Sequence, residues 1–255
     1  MRDRVAVVAR ATFREAVRDR VLLIVLAFAA AFILGSRVLG WLSVEDELKM
    51  VQDFSLKGIS IVGLLLAMLV GAGAIAREVE RRTVYTVLSR DCGRGEFVLG
   101  KFAGLVVVLW TCLAGMAAVL FVWVLAWNGV VGEALVAAVL GLACEAVVLT
   151  SVALFLGALT SPALASAGTL VFYFVATHTE AMRELTEDGK NPDFAAAYRV
   201  LYHVLPNFVN VTFINATTSG HAVDWSMLGL GAASSACWAT VFLAGAIVLF
   251  RRRQF

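Results

Sequence analysis

Six long, nearly uncharged runs of apolar residues, at 21–39, 58–76, 102–126, 134–159, 163–177 and 227–250, constrain this chain more than any other feature. A hydrocarbon core of about 30 Å takes ~20 residues at helical rise. In lipid each backbone amide and carbonyl must be paired within the spanning segment, which makes such runs helices. With 61% hydrophobic and 16% charged residues, the chain is too apolar for an ordinary soluble domain. The expected fold class is all-α integral membrane, a single transmembrane domain over 1–255 with about six transmembrane helices. The run 163–177 is short and follows Pro162, so it either starts at a membrane face and continues beyond His178 or sits at the interface.

The first twenty residues are not a simple basic leader. Triplets that fit signal cleavage, Ala27-Phe28-Ala29 and Ala29-Ala30-Ala31, fall inside the first apolar run rather than after it. Ahead of that run, Val5, Ala9, Phe13 and Ala16 recur at helical spacing, with Arg10, Arg14 and Arg18 on the opposite side. Residues 1–20 therefore read as an amphipathic interfacial helix on the membrane surface.

Charge sets the orientation. With an N-in, C-in arrangement, fifteen of the 21 Lys and Arg residues fall inside: six before Val21, six from Arg77 to Lys101 and three at Arg251–Arg253. The long external loop 178–224 then carries three basic residues against six acids. Arg251-Arg252-Arg253 end the last span where basic residues hold a helix end in place and attract anionic lipid. Trp41, Trp123, Trp127 and Trp225 lie near the outer span ends as an aromatic belt.

The segment 77–101, REVERRTVYTVLSRDCGRGEFVLGK, sits between two spans on the inner side. A hairpin between helices closes in a few residues. A charged, helix-prone segment of this length reads as a surface for another protein, the plainer alternative being a solvated positive-inside loop. Glu78 and Glu80 precede Arg81-Arg82-Thr83; Val87-Leu88-Ser89-Arg90 and Arg94 follow, and Glu96-Phe97-Val98-Leu99-Gly100-Lys101-Phe102 closes the segment.

In these residues the sequence resembles the permeases of type-2 ABC exporters, whose loop reads E-x-E-[KR]-[KR]-T, then L-S-x-P, then R, then G-K-F. The resemblance extends to the hydropathy plan, the N-terminal interfacial helix and the large last external loop with Leu205-Pro206-Asn207; Asp91-Cys92 stand where the family often has Pro-Val. It implies that 77–101 is a cytoplasmic coupling loop whose short helix docks in a groove of an ABC ATPase subunit. Glu78, Glu80, Arg81, Arg82, Thr83, Arg90 and Arg94 would then be the docking residues. ATP and magnesium would be bound by that partner, with no cofactor in this chain. A second permease copy or a paralogue, membrane lipid and an external accessory protein complete the implied partners, with no nucleic acid. The implied location is the plasma membrane, as in a bacterial inner membrane.

Gly95–Lys101 also spells G-x-x-x-x-G-K, the start of a phosphate-binding loop. Phe102 stands where a magnesium-binding Ser or Thr is required and begins a span, so the match is accidental. Gly100 and Gly104 instead have the small-residue spacing that lets helices approach closely.

Glu145 is the one acidic residue deep in an apolar run. It reads either as a polar or titrating element of the substrate path or as a protonated carboxyl bonded between helices. His178, His203 and His221 share the external loop without a metal-ligand spacing. Asn210-Val211-Thr212 and Asn215-Ala216-Thr217 fit a glycosylation pattern, and 194–205 is amphipathic, as for short helices capping the outer mouth. Cys92, Cys112, Cys144 and Cys237 have no CxxC spacing and read as small core residues.

Two other functions compete. An ion-coupled carrier centred on Glu145 would show repeats and several intramembrane charges, neither of which is evident. An intramembrane serine protease needs a histidine at membrane depth, which the loop triplet Ser219-Gly220-His221 does not supply. The expected function is thus a non-enzymatic permease that couples ATP hydrolysis on a partner to export or conformational work.

Overall fold

The computed structural model describes residues 2–18, 27, 30–31, 33, 35, 47–74, 93–126, 130–179, 208, 212 and 224–252. Among the described residues the regular structure is helical throughout, with no strand. Helix α1 is Arg2–Arg18. Helix α2 is Glu47–Leu66 and continues as a π-helical segment, Ala67–Ala72. Helices α3 (Arg94–Ala126), α4 (Glu133–Leu159), α5 (Pro162–Thr177) and α6 (Trp225–Arg252) follow. Among the described residues four stretches are long and apolar enough to cross a membrane: Leu48–Ala72, Gly95–Ala126, Glu133–Leu159 and Trp225–Phe250. Of the first apolar run, residues 27, 30, 31, 33 and 35 are helical, and Ile33 is buried in the main core.

Helix α4 is the centre of the bundle and meets α2, the π-helical segment, α3, α5 and α6. Small buried residues, among them Ala137, Ala138, Gly141, Ala153 and Gly157, let its neighbours come close. A Cβ on Gly157 would fall 2.6 Å from the carbonyl oxygen of Ala72, and one on Gly71 would fall 3.0 Å from Ala153 Cβ. Helix α6 lies along α4, with Gly245 seated against the Phe155 ring. At Thr160 the backbone turns extended, and Pro162 opens α5 at a position where its missing N–H costs nothing.

Helix α2 begins ahead of its apolar run. Glu47, Lys49, Asp53 and Lys57 break the hydropathy, yet Val51, Gln52, Ser55, Leu56 and Ile59 are buried at helical spacing. Lys57 and Asp53 pair across one turn at 2.7 Å.

Two apolar cores result. The main one joins Leu56, Ile59 and Val62 of α2 to Leu109 and Leu120 of α3, Leu142 and Leu149 of α4 and Tyr173 of α5, with Phe208 added from the segment before α6. The second gathers one end of the bundle: Ala74 after α2, Phe97, Val98 and Leu105 of α3, Leu154 and Ala158 of α4, and Leu243, Ala246 and Phe250 of α6. Phe97 and Phe250 stack there with centroids 5.9 Å apart.

Helix α1 belongs to the same end. Its apolar face is not left to lipid: Thr12 and Ala16 are buried, and α1 packs on α3. The contact is set by Gly100 and Gly104, where an added Cβ would fall 2.6 Å from Val8 Cβ and 2.7 Å from the Ala9 carbonyl oxygen. Arg10, Arg14 and Arg18 are exposed on the other side. Buried Lys101 faces Glu15 at 3.5 Å and the Phe97 ring at 6.0 Å, tying α1 to the first turns of α3.

Candidate functional site

Of the residues expected to dock a partner, Glu78, Glu80, Arg81, Arg82, Thr83 and Arg90 lie outside the described residues, and Arg94 is the first residue of α3. What the structure describes is how that segment's two ends are held. Ala74 on one flank and Phe97 on the other share the second apolar core with the ends of α4 and α6. On the far flank, the Gly93 amide donates to Glu96 Oε2 at 3.2 Å and the Phe97 amide donates to the Gly93 carbonyl at 3.1 Å. This is one half of a capping box, and it fixes where α3 starts within the charged segment.

The G-x-x-x-x-G-K stretch lies wholly within α3. From Phe97 onward, where the amide donates to the Gly93 carbonyl at 3.1 Å, the stretch commits its amide hydrogens to carbonyls one turn back, so it is not the phosphate-cradling loop its spelling suggests.

Glu145 is brought together with residues that no local spacing connects to it. Ser60 of α2 donates its hydroxyl hydrogen to Glu145 Oε1 at 2.8 Å, and the Tyr173 hydroxyl of α5 lies 2.8 Å from the same Ser60 oxygen. All three residues are buried, Glu145 at 3% exposure. A charge near mid-bilayer costs about 2.5–3.5 kcal/mol on insertion scales, which place Asp among the costly residues. Among the described residues Glu145 has no ion pair. Two residues before Glu145, the Ala143 carbonyl accepts a hydrogen bond from the Trp110 indole at 3.1 Å, which ties α3 to α4 at this depth. The hydroxyls of Thr150, Ser151 and Thr169 bond instead to carbonyls of their own helices, the usual way a membrane helix hides a hydroxyl.

Of the other polar candidates, His178 ends α5 with Nδ1 3.0 Å from the Phe174 carbonyl and its ring stacked on Phe174. His203, His221 and Cys92 lie outside the described residues. Cys112 is buried in α3, Cys144 is half-buried in α4 and Cys237 is exposed on α6, all as free thiols.

Compared with known families, residues 6–255 match the family described as ABC-2 family transporter protein. The chain belongs to the ABC-2 transporter family. The match covers nearly the whole sequence, so the apolar bundle and the charged segment fall within one family domain. No match was found among curated proteins. An ABC-2 protein of this kind is a transmembrane permease, the membrane component of an ABC transporter. The family supports neither the ion-coupled carrier nor the intramembrane enzyme.

The sequence singled out Glu145 but gave no sign of Ser60 or Tyr173. Serines recur in such runs, while Tyr173 is the one tyrosine in any of the six, and the signal that points to both residues is the buried acid's need for donors from neighbouring helices.

Proposed function

We propose that this ABC-2 protein is the permease subunit of an exporter or a force-transmitting complex, coupled to ATP hydrolysis on a separate ABC ATPase through 77–101. The observation that carries this reading is the shared core at the two ends of that segment, in which Ala74, Phe97 and Phe250 are packed together. Docking of the ATPase on Glu78, Glu80, Arg81, Arg82, Thr83, Arg90 and Arg94 sets orientation and specificity by charge more than it adds affinity. Closure of two ATPase subunits on ATP then moves the segment, and the packed helix ends follow as rigid bodies. ATP and magnesium belong to the partner.

The fuller topology is six spans with both termini inside, one of them formed by 21–39. Among the described residues, α1, the end of α2, the start of α3 and the ends of α4 and α6 meet at one end of the bundle. That end carries Lys101 and the arginines of α1 and α6, as a cytoplasmic face does in the positive-inside pattern. A second copy or a paralogue completes the path, and the bacterial inner membrane is the setting that suits this architecture.

The test is affinity purification of the tagged protein in mild detergent, beside a variant carrying Glu80→Arg and Arg82→Glu. The expected result is a Walker-containing ATPase retained by the native protein and lost from the variant. Absence of any ATPase from both, across several detergents, removes the docking reading.

A further inference from the structure

We propose that Glu145, Ser60 and Tyr173 form a proton-binding site inside the bundle, in which Glu145 holds a proton while α2, α4 and α5 are joined as seen and releases it when α2 parts from α4.

The arrangement of hydrogens is the first argument. Ser60 has one hydroxyl hydrogen and gives it to Glu145, so the Tyr173 hydroxyl gives its own to Ser60. Among the described residues the carboxyl thus receives a single neutral donor, relayed across three helices. An ionised carboxylate needs several donors or a cation to be held away from water, whereas the neutral acid needs neither and brings one donor of its own.

Position is the second argument. The chain joins α2 to α4 and α5 above the place where α2 turns π-helical and its backbone presses on Gly157. π-Helical turns are rare and recur at functional sites. Separation of α2 from α4 at this joint admits water to the carboxyl. The Glu145 O–H bond then breaks and the proton passes to that water, with no change of oxidation state. A carboxylate left behind opposes re-closure until a proton returns.

The surroundings leave Glu145 as the group that titrates here. Among the described residues, α5 contributes Tyr173, α4 contributes Cys144 and α3 contributes Cys112, all neutral in the usual range. The charged residues of the packed helices are Glu47, Lys49 and the mutually paired Asp53 and Lys57 of α2, Arg94, Glu96 and Lys101 of α3, Glu133 of α4 and the arginines closing α6; Lys57 stands one turn before Ser60 with its ammonium held by Asp53 and its side chain more than half exposed.

The test uses the permease alone in lipid nanodiscs, so its outcome is separate from whether an ATPase docks. Infrared difference spectra of wild type against Glu145→Gln are expected to contain the carbonyl stretch of a protonated carboxyl at neutral pH. That band should shift in Tyr173→Phe, which shortens the hydroxyl chain. On alkalinisation the band disappears and the melting temperature of wild type falls, while that of Glu145→Gln stays level across the same range. The sign follows from linkage: a native state that binds more protons than the unfolded chain loses stability as pH rises. Should Glu145→Gln fail to fold, the wild-type spectra in light and heavy water and the Tyr173→Phe shift decide the matter. An ionised carboxylate at neutral pH, or identical stability profiles in wild type and Glu145→Gln, overturns the proposal.

Discussion

Ser60 and Glu145 are 85 residues apart in sequence and joined by a buried hydrogen bond of 2.8 Å. The bond crosses between α2, which leads into the charged segment, and α4, which meets α2, α3, α5 and α6.

Removing one partner of such a bond costs more than removing both, because the remaining polar group stays buried without compensation. Ser60→Ala is therefore expected to destabilise the protein by about 1–3 kcal/mol. The double change Ser60→Ala, Glu145→Leu should recover part of that loss. Thermal unfolding of the purified protein measures both, and a Ser60→Ala variant as stable as wild type would falsify the assigned bond.

The two glycines of α3 beneath α1 make a second prediction. A side chain at Gly104 meets the Ala9 carbonyl and Thr12 at 2.7 Å, whereas one at Gly115 meets nothing within 4 Å. Gly104→Val is expected to cost about 1–3 kcal/mol as an overpacked contact and to lift α1 off α3. Gly115→Val serves as the control. Trypsin should cut at Arg10, Arg14 and Arg18 faster in the first variant and at the wild-type rate in the second. Equal rates in all three proteins would mean that α1 is held by something other than this contact.

Hydropathy made the all-helical membrane fold legible because lipid imposes a local rule: a run of apolar residues long enough to span must pair its own backbone. Helices α3, α4 and α6 each contain such a run. The same rule hid the start of α2, where Glu47, Lys49, Asp53 and Lys57 lower the hydropathy of a helix whose other face is buried. In α1 the amphipathic pattern was visible, but periodicity says only that one face is apolar, not that it rests on Gly100 and Gly104. Glu145 stood out as a costly charge, while Ser60 and Tyr173 did not, because their role exists only once three helices are packed.

Helix α6 begins with a cap that titrates. Asp224 Oδ1 accepts hydrogen bonds from the Ser226 hydroxyl at 2.7 Å and the Ser226 amide at 3.0 Å. These bonds, the hydroxyl first, hold the carboxyl below the usual range. For a depressed carboxyl, the stabilisation is present above the unfolded pKa of about 3.9 and is lost as pH falls through the lower folded value. Hydrogen exchange at the first turn of α6, referred to the intrinsic rate at each pH, should therefore quicken below about pH 4. In Asp224→Ala it should be fast at every pH. An acid-insensitive first turn in wild type would remove the cap from the account.

The last prediction concerns the seat of α2 against α4. At Gly157 a methyl group meets the carbonyl oxygen of Ala72 at 2.6 Å, and backbone held in a π-helical turn cannot swing aside as a side chain does. At Gly71 a methyl group meets only Ala153 Cβ, at 3.0 Å. Gly157→Ala should thus destabilise more than Gly71→Ala, by about 1–3 kcal/mol for the former. Neither residue lies in the docking segment, so both variants should still retain the partner ATPase. If that seat carries movement from the segment into α4, nucleotide should change the tryptic pattern of the wild-type permease in the complex and fail to do so in Gly157→Ala. A variant that binds the ATPase and still shows the full nucleotide-dependent change would place the transmission elsewhere, in the Phe97–Phe250 stack between α3 and α6.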